Sequence, residues 1–396
     1  MKKILMNSIT LFLCIFIISQ TSYASSSIVE TPSINETSIE KLIFDYFDVQ
    51  FESVMNKDTT LSKRLENIIN TKSTSGKAIY DYEIGKIEYL IASHKLDATD
   101  LESYDIEVEI QSIEEEKEKL TLEVEMKSSI KYNFLDKPSQ SIEKHLIRLS
   151  LINNKWTIDV DDYETEFLLA FPIDTDFKEL INNLNTEYIQ YIQTVEDSKK
   201  NPVNVDRSTR GAYDPFTSTE RGAGAAYALW YSEDTGDNTT DSYNNSQFKS
   251  YGSNDCQNFV SQCIWWGMGG RSSSSKDYPM TSVWWANTSG ETSTWNWTGT
   301  SYFKSWVQGS NNSNIDGVDY SYPTYIEKCD YIYVPGHVMI VSNIVDLDSD
   351  GYADWNEIQI CAHTSNRNDH NLKALYGGIS SPPSNMDFMK IYGKYN

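Results

Sequence analysis

Gly252-Ser253-Asn254-Asp255-Cys256-Gln257-Asn258-Phe259-Val260-Ser261-Gln262-Cys263-Ile264-Trp265-Trp266 reads as a cysteine set on the first turn of a buried helix. Phe259, Val260, Cys263, Ile264 and Gly267 recur three and four residues apart, the spacing of one buried face. Cys256 lies at the N-terminal end of that face. Ser253, Asn254 and Asp255 are good capping residues, so the helix is expected to start within a residue of the cysteine. There the unpaired N–H groups and the positive end of the helix dipole favour a thiolate, and the same N–H groups can donate to an oxyanion. Cys256 is the candidate nucleophile.

A thiol nucleophile needs a base, and the chain has five histidines: His94, His145, His337, His363 and His370. Tyr331-Ile332-Tyr333-Val334-Pro335-Gly336-His337-Val338-Met339-Ile340-Val341 reads as strand, tight turn, strand, with His337 opening the second strand. A rigid strand end suits a base, and His337 is the candidate. His94 and His145 have no partner motif, His145 falls in an alternating strand and reads as structural, and His370 sits in a polar stretch that reads as surface.

Asp-Cys-Gln-Asn-Phe-Val-Ser-Gln, then Gly-His-Val-Met-Ile-Val, then Ala362-His363-Thr364-Ser365-Asn366-Arg367 together resemble the bacterial amidase domain family. That family is a branch of the papain-like peptidase group that includes NlpC/P60 and CHAP domains, and the resemblance covers roughly residues 213–396. It implies a papain-like fold with a helix-borne cysteine nucleophile packed on an antiparallel sheet. It further implies a histidine base at the start of a core strand and a polar residue on the next strand that orients it. Carried over, these are Cys256, His337 and His363.

Between the last two motifs stands Asp346-Leu347-Asp348-Ser349-Asp350-Gly351-Tyr352-Ala353-Asp354-Trp355-Asn356-Glu357. Asp346, Asp348, Asp350, Asp354 and Glu357 fill the acidic slots of an EF-hand-type loop, Gly351 supplies the sharp turn, and Tyr352 offers its carbonyl. Carboxylates this close repel unless a cation sits among them. The flanks Val338–Val345 and Ile358–Ala362 read as strands, so the loop is expected at a hairpin tip, holding a structural Ca2+ that sets the register between His337 and His363. A merely acidic turn is the plainer reading. If Val345 pairs with Ile358, His337 faces Asn366; a slip of three residues brings His363 opposite. Asn366 therefore stays open as the orienting residue beside His363.

Composition bounds the rest. Met1-Lys2-Lys3, the apolar run Ile4–Ile18 and Ser22-Tyr23-Ala24 read as a secretory signal peptide over residues 1–24, so the chain is expected outside the cell, in the wall or the medium, with no membrane attachment after cleavage. With 33 Lys and Arg against 57 Asp and Glu, a formal net charge of −24 argues against nucleic acid as a partner and suits calcium. Cys263, Cys329 and Cys361 read as buried apolar residues, and whether any two pair is left open.

Residues 25–37 read as a flexible leader. Residues 38–198 carry helical periodicity (Ile39 to Phe51, Leu61 to Ile69, Ile79 to Ala92), then alternating strands at 104–110, 120–126, 145–151 and 155–160. This is an α+β module of helices followed by an antiparallel meander, similar in order to an NTF2-like cone, and it reads as non-catalytic. A helix near 176–198 precedes a polar linker at 199–212, and residues 213–396 form the amidase-like domain. Nine of the ten tryptophans lie beyond residue 213, as core or as sugar-stacking platforms.

The expected function is a secreted cysteine amidase or peptidase that cuts amide bonds through a thioacyl intermediate, with peptidoglycan or another peptide as substrate. The rivals are a catalytically idle, calcium-stabilised wall-binding or adhesion protein, and a protein-directed peptidase or acyl transferase.

Overall fold

The computed structural model describes residues 36–163, 165–201, 213–232, 245, 247–271, 279–287, 292–309, 315–363 and 367–395. The expected signal peptide, most of the leader, and positions 202–212 of the expected linker lie outside the described residues. Among the described residues no helix is long and apolar enough to cross a membrane.

The described residues begin with helices α1 (Glu36–Met55) and α2 (Thr74–Leu96), the latter capped by the Ser73 hydroxyl accepting from the Gly76 N–H. Between them the expected second amphipathic helix is a single 3-10 stretch, Leu61–Asn67. The chain cannot continue as a helix there because Ile69 bridges to Ile158 of the following sheet. Four antiparallel strands come next: β1 (Leu101–Glu116), β2 (Lys119–Tyr132), β3 (Ser139–Ile152) and β4 (Lys155–Tyr163), paired in sequence order. Leu120, Leu122, Val124 and Met126 form the buried row of β2, two residues apart. Tyr46 of α1 donates to Asp161 of β4 at 3.0 Å, fixing helix to sheet. Helices α3 (Glu166–Ala170) and α4 (Phe177–Lys200) close this half.

Beyond it come β5 (Tyr213–Pro215), α5 (Ser218–Tyr231), α6 (Cys256–Gly267), α7 (Trp295–Thr298), α8 (Thr300–Gln308), β6 (Ile315–Tyr320), β7 (Tyr331–Val334), β8 (His337–Ile344), β9 (Ile358–Ala362), β10 (Arg367–Asn371), α9 (Leu372–Leu375) and β11 (Asp387–Tyr395). The strands form one antiparallel sheet in the order β10-β9-β8-β7-β11-β5, with β6 also on β11. The protein is mixed α+β with antiparallel sheets.

Helix α6 is buried along nearly its whole length, which no amphipathic surface helix would be. One side meets β8, and the other meets the tryptophan-rich segment. There Trp297 Nε1 donates to Asn258 Oδ1 at 2.8 Å and Trp284 Nε1 to Ser261 Oγ at 3.3 Å. Both rings are fully buried, whereas Trp230 and Trp295 are more than two-thirds exposed. The buried pair is core, while Trp230 and Trp295 leave most of their ring surface open to solvent beside Tyr231 and Tyr302.

Residues 37–396 form one compact unit. Its two sheets are joined by a buried polar seam. His94 Nε2 of α2 lies 2.6 Å from the Gly377 carbonyl, the Ser93 hydroxyl bonds Ser380, and Lys373 Nζ reaches Asp97 at 2.6 Å. Gly377 has φ +70 and its Cβ position would meet Leu90 at 2.8 Å, so only glycine fits against α2 there.

Burial pushes His94 and His370 down to about 4. A histidine with a lowered folded pKa contributes stability above its unfolded value of about 6.5, and that contribution is lost as pH falls towards 4. Each such group adds a slope of roughly 1.4 kcal/mol per pH unit over that window. Unfolding midpoints in urea should therefore fall steeply between pH 6.5 and 4, and His94→Gln should make the profile shallower while lowering stability at pH 7.

Candidate functional site

Helix α5 begins with a capping box in which Thr217 and Glu220 satisfy each other's backbone N–H groups, and Arg221 ties it to the sheet through Asp330 at 2.6 Å. Helix α6 begins differently. Asp255 occupies its N-cap position but keeps helical dihedrals and makes no side-chain cap. Its Oδ1 instead accepts from the Tyr251 N–H at 2.9 Å and the Asn258 amide at 2.8 Å, and Oδ2 lies 2.7 Å from His363 Nδ1. Asp255 is an anchor for a histidine rather than a cap, and the sequence alone does not separate these roles because aspartate is common at both.

Cys256 is buried, 6 % exposed, where α6 meets β8. The N–H groups of Val338, Gln257 and Cys256 itself approach the sulfur and favour the thiolate, but burial outweighs them and, with Asp255 alongside, pushes the thiol up to about 11. The expectation of a thiolate stabilised by the helix start is therefore not met in this resting state: the apolar surroundings cost the anion more than the N–H groups return.

Strand register decides where the histidines point. Across β7 and β8, Val334 faces His337, Tyr333 faces Val338 and Tyr331 faces Ile340. Across β8 and β9, Ile340 faces Cys361 and Ile344 faces Ile358, with the regular pairing interrupted between Val341 and Asn343. This register is neither of the two weighed from sequence. Residues directly opposite share a face and neighbours alternate. Val338, Ile340, Cys361 and Tyr331 accordingly cluster with Phe259, Val260 and Ile264 of α6. His337 belongs to the other face with Val334 and Met339.

There the Nε2 of His337 lies 3.9 Å from Glu166 Oε1 and has no hydrogen-bond partner among the described residues. Burial lowers its pKa from the ordinary value, against the pull of Glu166, so the ring is neutral. No hydrogen bond among the described residues joins His337 to Cys256. His363, one residue past β9 and in step with Cys361, falls on the helix face. Its ring stacks on Phe259 with centroids 3.8 Å apart, Nδ1 meets Asp255, and Nε2 lies 2.8 Å from the Tyr231 carbonyl. His363 is thus paired with Asp255, the residue that precedes Cys256. Asn366 lies outside the described residues.

His370 is buried in β10 rather than on the surface, because β10 faces the first sheet and its ring meets the Ser139 hydroxyl at 3.0 Å. Arg367 is also buried, 2.9 Å from Glu166 Oε2; it closes the third sequence motif, but its partner stands 201 residues away and carried no sequence signal. All four described cysteines are free and buried.

At the acidic hairpin tip, Asp346, Asp348 and Asp350 are exposed and bring one oxygen each within 4.8 Å of one another. That part of the donor set fits a hard cation. The rest of the expected set behaves otherwise. Glu357 is buried and its two oxygens accept from the Leu347 and Asp354 N–H groups, so it braces the loop. Lys199 of α4 stands 2.6 Å from Asp350 and 3.3 Å from Asp354, supplying a positive charge from the protein itself, and Tyr352 turns its hydroxyl to the Lys199 carbonyl.

Residues 218–383 match the family model described as "Putative amidase domain". The match spans Cys256, His337, His363 and the acidic loop, and it identifies an amidase-like domain, which points to hydrolysis of C–N amide bonds. No curated protein and no solved structure matches the chain.

A thiol held near 11 is mostly protonated at neutral pH, so iodoacetamide should label Cys256 more slowly than a free cysteine at pH 7. The rate should climb about tenfold per pH unit up to roughly 11. Peptide mass mapping across pH reads this directly; preferential labelling at pH 5 would show a preformed thiolate instead.

Proposed function

We propose that the protein is a secreted cysteine-dependent amidase or peptidase whose substrate is an amide bond of cell-wall peptidoglycan. The observation that carries this reading is the His363–Asp255 pair at the start of the helix that bears Cys256, within the amidase-like segment. A leader-like N-terminus and a strongly acidic composition support an extracellular site of action. On the same reading, α6 against β7–β9 is a papain-like arrangement and the first four strands with α1 and α2 are an NTF2-like cone.

Chemically, the resting thiol needs a base rather than a preformed charge. Both ring nitrogens of His363 face acceptors in the structure, Nδ1 the Asp255 carboxylate and Nε2 the Tyr231 carbonyl. To act as base the ring keeps its proton on Nδ1 and turns an unprotonated Nε2 from Tyr231 to Cys256, where it accepts the thiol proton. The sulfur then bonds the substrate carbonyl carbon, and the N–H groups around it receive the oxyanion. The imidazolium returns its proton to the leaving nitrogen as the C–N bond breaks. Water, deprotonated by the same ring, releases the acid from the thioacyl intermediate. Asp255 keeps the productive tautomer throughout.

A second assignment keeps His337 as base, with His363 orienting. It is favoured by the open Nε2 of His337 and by the Val338 N–H at the sulfur, one residue away. It requires the His337 ring to leave the Glu166 face.

Hydrolysis of purified peptidoglycan, read as newly released amines, tests the proposal. Cys256→Ala should abolish it, and removal of the true base should cost about 10²–10⁴-fold in kcat. His363→Ala and Asp255→Asn falling in that range while His337→Ala stays within a few-fold supports the assignment; the reverse pattern moves the base to His337. Full activity in Cys256→Ala sinks the cysteine mechanism. Product appearing only with an added amine acceptor favours an acyl transferase, and an inert wild-type protein that still sediments with cell walls favours a binding protein.

For the acidic loop we propose a structural Ca2+ held by Asp346, Asp348 and Asp350, competing with the Lys199 ammonium. Calcium at about a hundred times its Kd should raise the unfolding free energy by about 2.7 kcal/mol. Asp348→Asn should remove that gain, and Lys199→Met should tighten calcium binding. A melting temperature indifferent to calcium and chelator rules the site out.

A further inference from the structure

Among the described residues a cavity lies away from Cys256, between α1, α2 and the inner face of the first sheet, with β10 and α9 along one side. Its volume is about 140 Å³. A cavity of about 150 Å³ lined only by apolar side chains stays dry and accommodates benzene. This one is not purely apolar. Phe47, Phe51, Val54, Leu101 and Met126 line its body, whereas one end carries Glu83, Glu143, His145, Asp161 and Glu166.

The charges at that end are unequal. Lys86 pairs with Glu83 at 2.8 Å, Arg367 with Glu166 at 2.9 Å, and His145 Nδ1 with Asp161 Oδ1 at 2.9 Å. Burial alone would lower His145, but Asp161 and Glu143 raise it to about 9, so the ring is an imidazolium at neutral pH. Three cations thus face four carboxylates, and His145 serves two of them: its Nε2 lies 3.8 Å from Glu143, whose carboxyl burial would raise but His145, Arg367 and Lys86 hold below its ordinary value. The polar bonding is also incomplete. Glu166 Oε1, which lines the cavity, is a buried acceptor with no hydrogen-bond partner among the described residues. A buried acceptor left in that condition costs about 1–3 kcal/mol, which a bound donor would relieve.

We infer that this cavity is a binding site for a small primary ammonium compound with a compact apolar body. The ammonium balances the excess carboxylate by donating to Glu143 and to Glu166 Oε1, and the apolar body fills the space against Phe47, Phe51 and Met126. The site lies in the half of the chain outside the amidase-like segment apart from its β10–α9 wall, and it uses neither Cys256 nor His363. It therefore stands or falls independently of the proposed hydrolysis.

Benzylammonium and its neutral analogue benzyl alcohol separate the charged from the merely apolar contribution. Isothermal titration of the full chain at pH 7 should show saturable one-to-one binding of benzylammonium, at least about tenfold tighter than benzyl alcohol, a difference of about 1.4 kcal/mol. Glu143→Gln, which keeps shape and removes the charge, should erase that preference. Val54→Trp, which fills the cavity, should abolish binding of both probes, and Cys256→Ala should leave binding unchanged. Circular dichroism melting identifies a variant that has failed to fold, and Val54→Phe then replaces Val54→Trp as the filling variant. No saturable binding of benzylammonium at millimolar concentration overturns the inference. So does equal affinity for the alcohol, or a charge preference that survives Glu143→Gln.

Discussion

The period of two along β8 is the constraint on which the candidate site depends. Once Val338 and Ile340 are committed to the face that covers α6, His337 must turn the other way, because successive side chains of a strand leave the sheet on opposite sides. Burying Phe259, Val260 and Ile264 of α6 against Val338 and Ile340 removes several whole apolar side chains from water, each contributing about 1.5–3 kcal/mol. A one-residue slip that brought His337 to the helix would put Val338 and Ile340 on the wrong face and forfeit that contact. The packing of the helix therefore chooses which histidine stands beside Asp255, and it chooses His363.

The same commitment explains the polar chemistry on the far face. His337, Glu166, Arg367 and His370 are all buried there, and the two sheets meet through them. Glu166 touches Arg367 directly and lies near His337, so one carboxylate links the first half of the chain to the first residue of β8. Buried charges of this kind are costly to strip of a partner, and the pairing of Arg367 with Glu166 is what makes the seam tolerable. The cavity shares Glu166 and His370 with that seam.

The thiol illustrates how burial can reverse a local argument. A helix start does present N–H groups to Cys256, as its position implies, yet the thiol is pushed up because it is buried and Asp255 adds a negative charge. The acidic hairpin shows a related reversal: Lys199 arrives from α4 to partner two of its carboxylates, and Glu357 turns inward to brace the turn rather than stand with the other acids.

What the sequence by itself determined is local. The periodicities of α1, α2, α5 and α6, the alternation of β1 to β4, the tight turn at Pro335-Gly336 and the cysteine on a helix start are legible because each depends on neighbours within a few residues. The amidase-like character of the second half is legible for the same reason, since it is carried by short contiguous motifs. Only the tertiary structure decided the register between β8 and β9, the facing of His337, the partnership of Asp255 with His363, the Glu166–Arg367 pair and the intrusion of Lys199 into the acidic loop. Each of these joins residues roughly a hundred or more positions apart or turns on a one-residue shift between strands. Such choices are made by the summed burial of a whole face, a quantity that no short stretch of sequence contains.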